Sequence, residues 1–352
     1  MTIHVLAGDI GGTRARFAIF EVSGAMPRLV HQDTLESRSY RTFEACLKDF
    51  LDRGRLSIAA ASMGIAGPVV DQRVKTTNLP WTIDARSLTK RFAIEKVTLL
   101  NDLVAAGLGA IASPPKNVVS VYNGRPKTKG GNLAVIAAGT GLGEAMFIWD
   151  GDEHIACATE GGHTDFAPRN GVEDELLAYL RAEYGRVSYE RIASGSTISV
   201  VHRFFVQEQR VKESKDAAAK VANAEDPNVA IVELALSGKS EAATRALDLW
   251  CSVYGSEAGN LALKSLSTAG VFLCGGVSGS LASVLASGLP SRKKRKGASP
   301  FIEAFLDKGR LRPVVEAIPV AVCMEKKAGL LGAATHAASA ALADKKKKTR
   351  SR

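Results

Sequence analysis

The chain reads as an α/β protein of two duplicated lobes with a cleft between them, and two observations carry that reading. Its 352 residues exceed what one hydrophobic core usually serves, so two lobes of roughly 100 to 200 residues each are expected. An apolar strand running into a glycine turn and out into a second apolar strand occurs twice, once in each half of the chain. Each copy predicts a β-hairpin that opens a lobe and points its turn at the shared cleft.

The first hairpin is Val5-Leu6-Ala7 with the turn Gly8-Asp9-Ile10-Gly11-Gly12-Thr13 and the outgoing strand Phe17-Ala18-Ile19-Phe20. A third strand, Ala59 to Ile65, stops at Ala66-Gly67-Pro68. A fourth, Val97 to Leu100, runs into Asn101-Asp102 and the helix-prone stretch Leu103 to Leu108, which Asn101 or Asp102 would cap. Ser113-Pro114-Pro115 then marks a lobe boundary. The second hairpin is Leu133 to Ala138, Gly139-Thr140-Gly141-Leu142-Gly143, and Ala145 to Trp149. From Glu241 to Leu266, Ala243, Leu247, Trp250, Cys251, Tyr254, Ala258 and Leu261 recur at helical spacing, which predicts one long core helix. A strand Val271 to Cys274 enters a third glycine turn, Gly275-Gly276-Val277-Ser278-Gly279, and an alanine-rich helix from about Glu325 to Ala343 precedes a lysine tail. The domains expected are a small one over 1–112, completed by the carboxy-terminal helix of about 325–343, a large one over 113–324, and a basic disordered tail over 344–352.

Composition excludes several classes. Hydrophobic residues at 46% and charged residues at 23% are ordinary for a soluble globular chain. The net charge of +10 sits in two short runs, Arg292 to Lys296 and Lys345 to Arg352, and the rest of the chain is nearly neutral. No basic stripe interleaved with aromatics accompanies them, so no nucleic-acid partner is expected. The five cysteines are scattered and form no C-x-x-C pair, which favours a reducing cytoplasm and no zinc. No basic, apolar leader precedes Asp9, and the uncharged run Val271 to Leu289 holds too many glycines and serines for a membrane span.

Glycine turns that bind phosphate present backbone N–H groups with no side chain in the way. One such turn is commonly only a turn; three, each after an apolar strand, point to a nucleotide. Rival nucleotide motifs fail: Glu144 stands where the dinucleotide pattern G-x-G-x-x-G needs glycine, and Glu233 stands where a P-loop ending in Gly238-Lys239-Ser240 needs one. The histidines show no H-E-x-x-H spacing.

Asp9-Ile10-Gly11-Gly12-Thr13, Leu100-Asn101-Asp102, Gly139 to Gly143, Glu160-Gly161-Gly162-His163-Thr164-Asp165-Phe166-Ala167-Pro168, Glu190 to Gly195 and Gly275-Gly276-Val277 occur in that order. With Asp307-Lys308-Gly309-Arg310 and Gly329-Leu330-Leu331-Gly332, the set resembles the motifs of bacterial glucokinases of the hexokinase-like superfamily, from about Ile3 to Ala340. The resemblance implies two actin-like (ribonuclease H-like) lobes, a cytoplasmic homodimer, and ATP-dependent phosphorylation of D-glucose to glucose 6-phosphate, the first step of glycolysis. It implies that Asn101, Asp102, Glu160, His163 and Glu190 hold D-glucose. It places ATP on Gly8, Asp9, Ile10, Gly11, Gly12, Thr13, Gly139, Thr140, Gly141, Gly275 and Gly276. Members with a structural zinc carry a cysteine cluster soon after the Gly-His motif; here the next cysteine after His163 is Cys251.

Phosphoryl transfer needs the γ-phosphate in line with the attacking hydroxyl, charge neutralised by Mg²⁺ and backbone dipoles, and a base at that hydroxyl. Asp102, where a strand ends and a helix starts, suits the base, though an Asn-Asp pair there can equally be a cap. Glu160, His163 and Glu190 suit sugar hydroxyls, although each alone is an ordinary surface or core residue. Asp9 suits Mg²⁺ carried by ATP and reached through water, or simply stabilises its turn. Arg14 departs from the asparagine that commonly follows the D-x-G-G-T turn in this family, and we read it as reaching the ATP phosphates. Two other readings stay open: a kinase for mannose, fructose or an N-acetylhexosamine, and a sugar-sensing protein that regulates a partner through its basic segments.

Overall fold

The computed structural model describes residues 2–23, 27–54, 56–76, 79–125, 130–292 and 297–350, with side chains as far as 343. The chain divides into two compact units, 1–117 with 325–352, and 118–324.

Unit 1 is a five-stranded sheet of order β3-β2-β1-β4-β7, formed by β1 (Ile3–Ile10), β2 (Arg14–Val22), β3 (Arg28–Glu36), β4 (Ala60–Ile65) and β7 (Lys96–Asn101). A short ribbon, β5 (Arg73–Lys75) and β6 (Thr82–Asp84), stands apart from it. The first three strands are antiparallel, and β1, β4 and β7 are parallel. Every residue of β4 is buried, as a parallel strand covered on both faces requires. Alternation along β1 sends Leu6 to a core with Phe17, Phe43, Phe50 and Trp81, and sends Val5 and Ala7 to Ala333, Ala334 and Ala337 of the last helix. That helix, Ala328–Arg350, lies so close to the helix Asp102–Ala112 that a Cβ at Gly109 would overlap the backbone of Ala328, and one at Gly332 the backbone of Ala105.

Unit 2 repeats the plan. Its six-stranded sheet has the order β11-β10-β9-β12-β13-β8, with β8 (Val118–Tyr122), β9 (Leu133–Ala138), β10 (Leu142–Trp149), β11 (His154–Thr159), β12 (Gly270–Cys274) and β13 (Val320–Cys323). Three antiparallel strands are again followed by two that continue parallel to the first of them, so β11-β10-β9-β12-β13 matches β3-β2-β1-β4-β7. The weak repeat in the sequence is thus a repeat of topology. The helix Glu241–Ser265 buries Trp250, Tyr254 and Leu261 in a core with Phe301 and Phe305.

Some boundaries move. The first unit closes after Asn117 instead of residue 112, because the turn Pro115–Asn117 stays with it and the Asn117 amide donates to Glu325 Oε2 at 2.6 Å. The last helix runs past 343 to Arg350: alanine and lysine are both good helix formers, and nothing between them stops it. Of the two basic runs, Lys293 to Lys296, Ser351 and Arg352 lie outside the described residues. Arg292 is ion-paired with Glu241 (3.3 Å) and Asp248 (3.2 Å). Among the described residues no helix is long and apolar enough to cross a membrane.

Candidate active site

In unit 1 the site residues gather at one edge of the sheet. The parallel register sets Ile10 beside Ile65 and Ile65 beside Asn101, so the first glycine turn and Asn101-Asp102 both leave the carboxyl ends of strands, with β4 between them. At about 4.8 Å per strand that is a separation near 10 Å. Gly8, Asp9 and Ile10 are the last residues of β1, and Gly11, Gly12 and Thr13 form the turn into β2. Backbone bonds close that turn, from Gly11 N–H to the Arg14 carbonyl (3.0 Å) and from Ser37 N–H to the Thr13 carbonyl (3.0 Å). Asn101 is the cap of the following helix: its Oδ1 accepts from the N–H groups of Leu103 (2.9 Å) and Val104 (3.4 Å), and its amide donates to the Gly67 carbonyl (3.3 Å). Asp102 opens the helix, partly exposed, with Oδ1 accepting from Leu103 N–H at 2.9 Å.

Cross-strand register settles the surroundings of Asp9. Asp9 faces Arg16 on β2, and Arg16 Nη1 meets its Oδ2 at 2.9 Å with both side chains partly exposed. Arg14 lies two residues earlier, exposed, on the same face as Arg16, while Ala15 between them is buried. The cation that touches Asp9 is therefore Arg16, which the sequence reading did not single out.

In unit 2 the second and third glycine turns also meet at one sheet edge, since Cys274 at the end of β12 is in register with Ala137 at the end of β9. Gly275 has φ of +88°, and a Cβ there would press on the Ala138 carbonyl, so only glycine fits before Gly276 opens the short helix Gly276–Ser280. The turn Gly139-Thr140-Gly141 is tied from the segment after Glu190, by Gly195 N–H to the Gly139 carbonyl (2.8 Å) and Ser196 Oγ to the Thr140 carbonyl (2.8 Å).

Glu160, His163 and Glu190 come together in this unit. Glu160 and His163 are exposed and bracket the one-turn helix Gly161–His163, and His163 Nδ1 lies 3.8 Å from Glu190 Oε1. Glu190 is half-buried at the start of the helix Glu190–Ala193, and its Oε2 accepts from Leu142 N–H at 2.9 Å. One carboxylate thus lies beside His163 and also holds the second glycine turn.

Behind the trio stands a residue noticed in the sequence only as a missing glycine. Glu144, 1% exposed, packs against Gly161, where a Cβ would overlap its Oε2. Burial, and then the nearby Glu257 carboxylate, push its carboxyl up to about 8. The signal that could have revealed Glu257 is a lone acid on the apolar face of the long helix, three residues after Tyr254 and four before Leu261.

Comparison with known proteins points to one family. A family model described as Glucokinase matches residues 6–340. A glucokinase of Trichormus variabilis is 33% identical over 349 residues, covering 95% of this chain and 98% of that protein. One of Marinobacter nauticus is 34% identical over 332 residues, covering 94% of this chain and 96% of its own. The crystal structure of a glucokinase from an Antarctic psychrotroph superposes with a TM-score of 0.80 at 26% identity, covering 96% of this chain and 99% of that one. A glucokinase of Balamuthia mandrillaris solved with glucose shares the fold at a TM-score of 0.74 and 19% identity, covering 96% of this chain and 94% of that one. With a family model spanning nearly all of it and relatives a third identical over almost their whole length, the chain belongs to the glucokinase family.

Proposed function

We propose that the chain transfers the γ-phosphoryl group of ATP to the 6-hydroxyl of D-glucose, giving glucose 6-phosphate and ADP. The observation that carries the reading is the row Ile10, Ile65, Asn101, which stands a candidate base beside a candidate phosphate turn at one sheet edge. The Asp102 carboxylate, partly exposed at the start of the helix, serves the substrate as base. It accepts the hydroxyl proton as O6 bonds to the γ-phosphorus and the bridging oxygen departs with ADP. Asn101, Glu160, His163 and Glu190 fix the sugar hydroxyls, and the turns Gly8 to Thr13, Gly139 to Gly141 and Gly275-Gly276 hold the nucleotide through backbone N–H groups.

Asp9 offers Oδ1 beyond the Oδ2 held by Arg16, which fits a water-bridged Mg²⁺ carried by ATP. When bound, that ion neutralises charge on the β- and γ-phosphates. Among the described residues no group of three or more His, Cys, Asp and Glu gathers to hold a metal, and the donor set suits an ion held mainly by phosphate oxygens. We take the protein to be a cytoplasmic homodimer acting at the first step of glycolysis; the family resemblance supports this, and five cysteines outside any disulfide fit a reducing compartment.

The test is a coupled assay of ADP release with glucose, mannose, fructose and N-acetylglucosamine, together with light scattering for the dimer. The expected result is a kcat/KM for glucose above that for each other sugar. A larger value for another hexose reassigns the substrate, and no release with any sugar leaves a sugar-sensing protein.

A further inference from the structure

Under the turn that carries Glu160 and His163 lies a pair of carboxyl groups outside the roles assigned so far. Glu144 of β10 is paired across the ladder with Thr159, the residue before Glu160, and its side chain packs under Gly161. Its Oε1 is buried with no hydrogen-bond partner. The carboxylate of Glu257, which is 0% exposed in the middle of the helix Glu241–Ser265, is close enough to help raise the Glu144 carboxyl. Glu257 Oε1 accepts from Lys264 Nζ (3.1 Å) and Oε2 from the Asn260 amide (2.9 Å). The same amide donates to the Tyr189 hydroxyl at 3.1 Å, and Tyr189 is the residue before Glu190.

Burial, and then the Glu257 carboxylate, raise the Glu144 carboxyl to about 8, so Glu144 keeps its proton at neutral pH. The pair then reaches the sugar-binding trio by two routes. Glu144 braces Gly161 from below, and Glu257 is linked through Asn260 and Tyr189 to the start of the Glu190 helix.

We propose that Glu144, packed under Gly161, and Glu257, linked through Asn260 and Tyr189 to the Glu190 helix, are positioning residues that hold Glu160, His163 and Glu190 in register with one another for the sugar. This rests on the reading of those three residues as sugar ligands. Ionising Glu144 puts a buried negative charge beneath the turn, near the Glu257 carboxylate, and loosens it, so sugar affinity depends on pH while nucleotide affinity does not. The charged and titratable groups facing the pair are Lys264 and Tyr254 from the same helix, Tyr189 before the Glu190 helix, and Lys308 after the helix Pro300–Leu306, with Arg169 and Glu173 beyond it. Burial raises both tyrosines out of the working range, whereas burial and Arg169 lower Lys308 to about 8. Lys308 is therefore the rival source of any alkaline effect.

The experiment measures kcat, KM for glucose and KM for ATP from about pH 6 to about pH 9.5 in the full-length wild type, Glu144→Gln and Glu257→Gln. The wild type should show a glucose KM that rises about fivefold or more over the alkaline half of that range, with the ATP KM within about twofold. Glu144→Gln keeps the shape and the neutral donor, so its glucose KM should be flat with pH. Glu144→Val, which keeps bulk but no hydrogen bond, should raise the glucose KM at every pH. If Glu144→Gln does not fold, Glu257→Gln also removes the like-charge pair and should be flat. An equally steep rise in the glutamine variants overturns the inference and gives the limb to Lys308. A wild-type glucose KM independent of pH overturns it as well. No turnover of glucose by the wild type at any pH overturns the kinase reading, and this inference with it.

Discussion

The hairpin β1–β2 of unit 1 and the hairpin β9–β10 of unit 2 hold the same place in sheets of the same order, and they handle an acidic residue in opposite ways. Asp9 is partly exposed and met across the strands by Arg16 at 2.9 Å. Glu144 is buried, faces a second acid instead of a cation, and keeps a proton. The first arrangement leaves a charge at the surface beside a candidate phosphate turn, where an ion or a phosphate can use it. The second removes a charge and packs the side chain under the candidate sugar ligands. A duplicated scaffold has thus been specialised by burial: one edge works by charge, the other by shape and hydrogen bonding.

The sharpest break of that comparison is Asp102→Asn. The amide keeps the shape but cannot take the hydroxyl proton, so kcat should fall by about 10² to 10⁴ while the glucose KM changes little. Retention of more than about a tenth of wild-type kcat in steady-state assays would remove Asp102 from the base role.

The next test separates Glu160 from Glu190. Glu160→Gln should raise the glucose KM by about tenfold or more and leave the ATP KM alone. Because Glu190 Oε2 also accepts from Leu142 N–H in the second glycine turn, Glu190→Ala should raise both KM values. An ATP KM unchanged in Glu190→Ala would show that this bond does not shape the nucleotide turn.

Arg14 tests the charge edge. Arg14→Asn should raise the ATP KM about tenfold, the worth of roughly one charged hydrogen bond, with the glucose KM unmoved. Unchanged ATP kinetics would make Arg14 a solvated residue and leave Arg16 as the cation that serves this edge.

A smaller effect is expected in stability against pH. The Glu144 carboxyl is raised to about 8 in the folded chain from 4.5. Its contribution is therefore fully present below about 4.5, declines as pH rises, and is lost once pH passes about 8. Thermal unfolding followed by circular dichroism should show a Tm that falls across this window by at least about 3 °C more in the wild type than in Glu144→Gln. Parallel curves for the two proteins would place the proton elsewhere. Smallest of all, deleting Lys345 to Arg352 should leave kcat and both KM values within about twofold, as for a solvated charge run.

What could be read from the sequence was local. Glycine turns, alternating strands and an Asn-Asp pair between a strand and a helix each declare themselves within a dozen residues, because backbone sterics and capping act over that range. Two hairpins, the long helix and the first two glycine turns followed from that alone, whereas the third glycine segment forms the short helix Gly276–Ser280. The contacts that shape the site are not local. Asp9 meets Arg16 through strand register, which a one-residue slip would undo. The order of the strands, with β4 between the first turn and Asp102, comes from parallel pairing across long crossovers. Glu144 and Glu257 lie on different elements far apart in the chain, and nothing in either segment points to the other. Only packing brings them together in a medium too apolar to hold two charges, and that meeting, not either residue's type or neighbours, decides that one of them stays protonated.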